Sequence, residues 1–231
     1  MIDTPDGPMP AAVAEPDGEP KGGIVVVQEA FGLTPHIVEV ANRLASAGWL
    51  AVAPALFHRK GAPVFDYEGG FERLMPVFQS LDAAGLDADI GASIDWLAAR
   101  GVPAERTGIV GFCMGGTVAL HAATRFPLGA AVTFYGGGVA EGRFGLPSLI
   151  EEAPGLRAPW LGLYGDLDTG IPVEDVERLR EIAATAPVPT EIVRYPEADH
   201  GFNCDDRASH HAASATDAWT RTLAWFDTHL T

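Results

Sequence analysis

The side chain best placed to do chemistry lies in the run Gly108-Ile109-Val110-Gly111-Phe112-Cys113-Met114-Gly115-Gly116. A β-branched apolar stretch leads into Gly-x-Cys-x-Gly and then into a helix beginning near Thr117, which spells strand, tight turn, helix. Such a turn holds its central residue strained and exposed at the end of the strand, and flanking glycines keep the bend free of clashes. The helix that follows points its free N–H groups at that residue. Their dipoles favour a thiolate and help bind a developing oxyanion. Cys113 therefore reads as an acyl-transfer nucleophile. The bland alternative is a buried structural cysteine in a glycine-rich crossover.

A thiol nucleophile needs a base. Of the seven histidines, His200 in Glu197-Ala198-Asp199-His200-Gly201-Phe202 follows the last predicted strand, on a loop at the same sheet edge as Cys113. His121 lies more than two helical turns past Cys113, about 12 Å along the axis. His210, His211 and His229 fall on the terminal helix, while His36 and His58 sit on loops near the cleft as candidate substrate contacts or plain surface residues. None forms an i,i+3 or i,i+4 ligand pair, which argues against a zinc hydrolase. The base in turn wants a carboxylate to fix its tautomer. Gly165-Asp166-Leu167-Asp168-Thr169-Gly170-Ile171-Pro172 offers two, with Asp168 preferred and Asp166 the runner-up, a turn residue otherwise. Glu29, in Val27-Gln28-Glu29-Ala30-Phe31-Gly32 at the end of a buried strand, would face the same cleft.

The elements that must position these groups are legible from apolar periodicity. Strands are predicted at Gly23–Gln28, Trp49–Ala53, Gly108–Gly111, Ala130–Phe134, Trp160–Tyr164 and Glu191–Tyr195, alternating with helices. One helix is capped by Thr34, with Pro35 at its first position and Gly48 past its end. Others cover Asp82 to Arg100, the stretch after Gly115, Val173 to Ala184, and Ser209 to Leu230, the last with Trp219, Leu223, Phe226 and Leu230 on one face. Alternation of this kind predicts an α/β fold with a mainly parallel central sheet flanked by helices on both faces. Met1 to Lys21, with two Pro-Asp-Gly turns, is expected to form an antiparallel hairpin at the sheet edge. His58 to Leu81 has the weakest periodicity and is the natural lid or substrate loop. No repeat or linker is visible, so a single domain over residues 1–231 is expected.

Composition narrows the partners. The 231 residues carry Asp+Glu 31 against Lys+Arg 15, a formal net charge of -16, which repels nucleic acid and anionic membrane surfaces. The chain shows neither a secretory leader nor a run of eighteen apolar residues, so a cytoplasmic protein with no membrane partner is expected. Two cysteines, Cys113 and Cys204, make neither a disulfide framework nor a cysteine zinc site.

Taken in order, Gln28-Glu29-Ala30-Phe31-Gly32, Gly111-Phe112-Cys113-Met114-Gly115-Gly116, Tyr135-Gly136, the Asp168 loop and His200-Gly201-Phe202 resemble the dienelactone hydrolase family. The resemblance implies a single α/β-hydrolase domain that opens small lactones or esters without a metal or organic cofactor. It implies Cys113 as nucleophile, His200 as general base and then acid, Asp168 as orienting carboxylate, and Glu29 as the group holding the resting thiol. The oxyanion hole would come from the N–H groups of Met114 and Ala30. Tyr135 matches a tyrosine near the pocket, Phe31 belongs to the motif lining it, and His58 is a candidate beside them. One departure stands out. Where the family has an arginine four residues after the histidine, for a substrate carboxylate, this chain has Cys204. Arg207 could compensate but reads as a surface residue, and Arg59 and Arg73 are candidate counterparts of a second family arginine in the lid.

The leading expectation is a cysteine hydrolase of small, preferably neutral, esters or lactones, acting as a monomer or homodimer. Two other classes compete with it: a ligand-binding relative whose thiol no longer turns over, and a thiol redox protein pairing Cys113 with Cys204.

Overall fold

The runs Gly23–Val27, Leu50–Pro54, Thr107–Phe112, Ala130–Phe134 and Trp160–Gly165 are buried at every position, as strands covered on both faces must be. The computed structural model describes residues 1–230, Phe71 by its backbone alone. Its strands are β1 (Ile2–Thr4), β2 (Gly7–Met9), β3 (Ala11–Ala14), β4 (Gly23–Val27), β5 (Leu50–Pro54), β6 (Thr107–Phe112), β7 (Ala130–Phe134), β8 (Trp160–Gly165) and β9 (Thr190–Tyr195). The helices are α1 (Pro35–Ser46), α2 (Met75–Phe78), α3 (Ala83–Ala98), α4 (Met114–Arg125), α5 (Leu149–Glu152), α6 (Val173–Ala183) and α7 (Ala212–His229).

Seven strands form one sheet in the order β3-β5-β4-β6-β7-β8-β9. Every neighbour is parallel except β3, which pairs antiparallel with β5. Glycines show that helices cover both faces. Ile24 is in register with Gly108, so Gly23 and Gly108 face opposite ways. A Cβ on Gly23 would strike Leu97 of α3, and one on Gly108 would strike Phe226 of α7 and Leu230. Thr34 caps α1 by accepting from the Ile37 N–H at 3.4 Å, with Pro35 at the first position, and Gly48 turns the chain at φ 97°. Among the described residues, no helix is long and apolar enough to cross a membrane.

The amino-terminal expectation needs correction. Pro5-Asp6 does turn a hairpin, with Thr4 opposite Gly7, but β1 and β2 form a sheet of their own. The strand that edges the main sheet is β3, and the second Pro-Asp-Gly only bends the chain. A turn fixes its local geometry, whereas the partner strand is chosen by burial elsewhere. On α7 the fully buried line runs through Ala218, Thr222 and Phe226, with Trp219 and Leu223 at its margin. Trp219 is held there by Arg43, whose guanidinium stacks 3.9 Å from its ring. A buried relay joins three elements: Trp160 Nε1 donates to Thr133 Oγ1 at 3.0 Å, and Thr133 donates to the Gly116 carbonyl at 2.9 Å.

Candidate active site

Strand β6 ends at Phe112 and α4 begins at Met114, so the reversal falls entirely on Cys113, at φ 56° and ψ −116°. Only glycine fits on either side. A Cβ on Gly111 would lie 1.8 Å from the Gly115 carbonyl oxygen, and one on Gly115 would lie 2.4 Å from that of Val27. The second contact also seats the start of α4 on the end of β4. Ala30 lies just past that end, and the N–H of Met114, first in α4, has no acceptor inside its own helix. Gln28 shapes this corner in a way the sequence did not disclose: its amide accepts from the Leu56 N–H at 3.1 Å and donates to the Glu29 carbonyl at 3.2 Å.

His200 is the base in reach of the thiol. Its Nδ1 is 2.6 Å from Asp168 Oδ2, and Asp168 Oδ1 accepts from the Gly170 N–H at 2.9 Å, which fixes the carboxylate. Asp166 is occupied elsewhere, by both ends of the Arg194 guanidinium at 2.7 Å. Burial by itself would pull the His200 pKa down. Charge interaction with Cys113, together with hydrogen bonds to Asp168 and Cys113, outweighs it and raises the pKa to about 10. Tyr135 packs against the imidazole with ring centroids 5.1 Å apart and the ring planes tilted by 59°. It is fully buried at φ 38°, with no partner for its hydroxyl, and burial followed by the Glu29 charge raises its pKa well above the ordinary value.

Glu29 is fully buried. Among the described residues the partner of its carboxylate is Arg207, at 3.5 Å from Oε1, while Oε2 has none. The resemblance led us to expect Glu29 on the resting thiol; the structure sets it against a guanidinium instead, and the thiol against His200. Arg207 is likewise no surface residue. Its side chain is 21 % exposed, and it lies over the rings of Phe31 and Tyr67 at 5.6 and 5.9 Å. Gly201, at φ 80°, leaves it room, since a Cβ there would come within 2.2 Å of the guanidinium. Burial lowers the Arg207 pKa, but the Glu29, Tyr135, Cys113 and Cys204 charges together hold it above the usual value. Cys204 is buried and hydrogen-bonded to Tyr67. Burial, with Glu29 adding to it and Tyr67 opposing, pushes its thiol up to about 11.

Two of the three basic residues expected at the substrate turn out to be engaged elsewhere. His58 Nε2 is 3.0 Å from Asp89 Oδ1, and Arg59 spans Asp89 at 2.7 Å and Asp6 at 2.7 Å. Asp89 is fully buried on α3, so an uncompensated carboxylate there would be costly and it claims both neighbours. Arg73 rests against Gly69. Tyr67 and Gln28 are site residues that sequence reasoning missed, and Arg207 is one that it named as a possible compensating arginine but read as a surface residue. Arg207 meets Glu29 across 178 residues, and no local pattern encodes such a pairing.

A strained cysteine elbow at the edge of a parallel sheet, backed by an imidazole and a carboxylate, defines an α/β-hydrolase. The dienelactone hydrolase family model matches residues 9–230, and the chain belongs to that family as a dienelactone-hydrolase-like hydrolase. It is 40% identical to a Yersinia pestis protein described as “Putative carboxymethylenebutenolidase”, over 96% of this chain and 84% of that one. It is 31% identical to the carboxymethylenebutenolidase of Rhodococcus opacus, over 97% of this chain and 88% of that one. A Klebsiella pneumoniae crystal structure, described as “Putative Dienelactone Hydrolase”, superposes with a TM-score of 0.88 at 42% identity, covering 98% of this chain and 95% of its own.

Proposed function

We propose that the chain acts as one catalytic domain that hydrolyses small esters or lactones bearing a carboxylate, through an acyl-enzyme on Cys113. The observation that carries the reading is the alignment of Asp168, His200 and the Cys113 elbow, with the 2.6 Å Asp168–His200 hydrogen bond behind it. The Cys113 sulfur attacks the acyl carbon. The N–H groups of Met114 and Ala30 receive the oxyanion, and His200 hands its proton to the leaving alkoxide. Water, deprotonated by the now neutral His200, then cleaves the thioester. Asp168 keeps the imidazole oriented throughout.

Arg207 changes the substrate expectation from neutral to anionic. A guanidinium held only at 3.5 Å by Glu29 keeps donors for a substrate carboxylate, which it would bind in two-pronged fashion. The test is a panel of aryl esters and lactones with and without a carboxylate, run on the parent and on Cys113→Ala. Cys113→Ala should lose at least about 10³-fold in kcat/KM. Full turnover by Cys113→Ala would end the acyl-enzyme reading. A preference for uncharged members of the panel would end the assignment of Arg207.

A further inference from the structure

Two polar side chains near the cleft take no part in this chemistry. His36 lies in the first turn of α1, only 4 % exposed, its edge against the Phe112 ring at a centroid distance of 6.3 Å. Among the described residues its Nε2 has no partner, and its one hydrogen bond there pairs Nδ1 with Asp205 Oδ1 at 3.3 Å. Cys204 is a fully buried free thiol. The fold brings them together although 168 positions part them: His36, Cys204 and Asp205 each offer a ligand atom, all within 4.8 Å of one another.

We propose that His36, Cys204 and Asp205 form a binding site for a zinc-class divalent ion at the rim of the catalytic cleft. One nitrogen, one sulfur and one oxygen donor make a borderline-soft set that suits zinc or cobalt and leaves calcium and magnesium poorly served. Zinc bonds of about 2.0–2.1 Å to nitrogen and oxygen set tetrahedral neighbours about 3.3 Å apart, and the His36–Asp205 pair already stands at 3.3 Å. The sulfur stands within 4.8 Å of the other two donors, and one side-chain rotation is enough to bring it to bonding distance. Asp205 is exposed, with its side chain 75 % accessible, so an ion enters from solvent. The fourth position stays open to water. Charge nearby is mixed: Glu29 and Asp206 act on Cys204, while Arg43 faces Asp205.

Binding replaces the Cys204 proton with the ion and releases it to solvent, one proton per ion, without change of oxidation state. It takes the Cys204 sulfur away from Tyr67 and fastens the segment that leads into Arg207 to α1. Sequence spacing conceals the arrangement, because its ligands come from a helix and a distant loop.

Cobalt(II) titrated into the Cys113→Ala protein tests the proposal with the catalytic thiol removed, so the outcome does not depend on the hydrolytic reading. A single equivalent should bind with a thiolate-to-cobalt charge-transfer band in the near ultraviolet, release a proton and be displaced by zinc. Adding Cys204→Ser should abolish the band. Adding His36→Asn should weaken binding at least about 100-fold, since even outer-shell partners are worth 10–100-fold. The proposal is overturned by a band that survives Cys204→Ser, by unchanged affinity in the His36→Asn variant, or by no cobalt bound to a protein whose circular dichroism matches the parent.

Discussion

With its pKa raised to about 10, His200 carries a proton through the neutral range and can serve as the acid for the leaving group. Activity should therefore fall on the alkaline side as pH passes about 10, and the limb should move to lower pH in Asp168→Asn, which loses one of the contacts that raise the pKa. A pH profile of kcat/KM on an ester of fixed charge reads this directly; an alkaline limb that ignores Asp168→Asn would remove His200 as the group responsible. Arg207→Met should cost about 2 kcal/mol in transition-state binding for carboxylate-bearing esters and leave their neutral analogues within about twofold, as measured by the ratio of kcat/KM values. The contrast between these residues also marks what sequence can reveal. Cys113, Asp168 and His200 each announce themselves through neighbours a few positions away: glycines at a turn, a loop after a strand. Arg207 is recognisable only once Gly201 clears its path and Glu29 meets it, and the family-aligned position that should have flagged an arginine holds Cys204 instead.

Helices and strands explain why other charged groups sit where they do. His58 and Arg59 converge on buried Asp89, and Arg59 continues to Asp6 in the β1–β2 turn, so this cluster fastens the amino-terminal hairpin to α3. Asp89→Ala should destabilise the fold by about 3 kcal/mol in a denaturant titration, because it strands a partly buried guanidinium, while kcat/KM per folded molecule stays put. A second clasp lies between α3, α4 and α5, where His121 bridges Glu152 at 2.6 Å and Asp87 at 2.9 Å. Burial opposes its protonation, but hydrogen bonds and charge from Glu152 and Asp87 leave the pKa raised. A raised folded-state pKa contributes stability that is complete below the unfolded value of about 6.5 and fades as pH climbs through the folded value. The difference in melting temperature between parent and His121→Gln should thus be largest below about pH 6.5 and shrink as the pH rises above it. The strands were legible because buried parallel strands are written as unbroken apolar runs. The hairpin's partner was not, because Pro5-Asp6-Gly7 specifies a turn and says nothing about which sheet the strands join.

At the scale of the whole molecule, a formal charge of -16 surrounds a cleft whose cation, Arg207, is largely enclosed. An anionic ester approaches against the field and is captured only at short range. Raising the ionic strength from about 20 to 200 mM should screen that repulsion and increase kcat/KM for carboxylate-bearing substrates, with no change for neutral ones; a decrease would mean that a positive patch governs approach. The hydrogen-bonded relay from Trp160 through Thr133 to the Gly116 carbonyl ties a buried indole on β8, beside the outer strand β9, to the first turn of α4 after the nucleophile. That gives the fold an internal optical gauge. With the other four of the five tryptophans replaced by phenylalanine, the emission of this sheltered indole should stay blue while the elbow is intact and shift to the red when the turn lets go, so unfolding of the catalytic corner can be followed by light, apart from the loss of the helices around it.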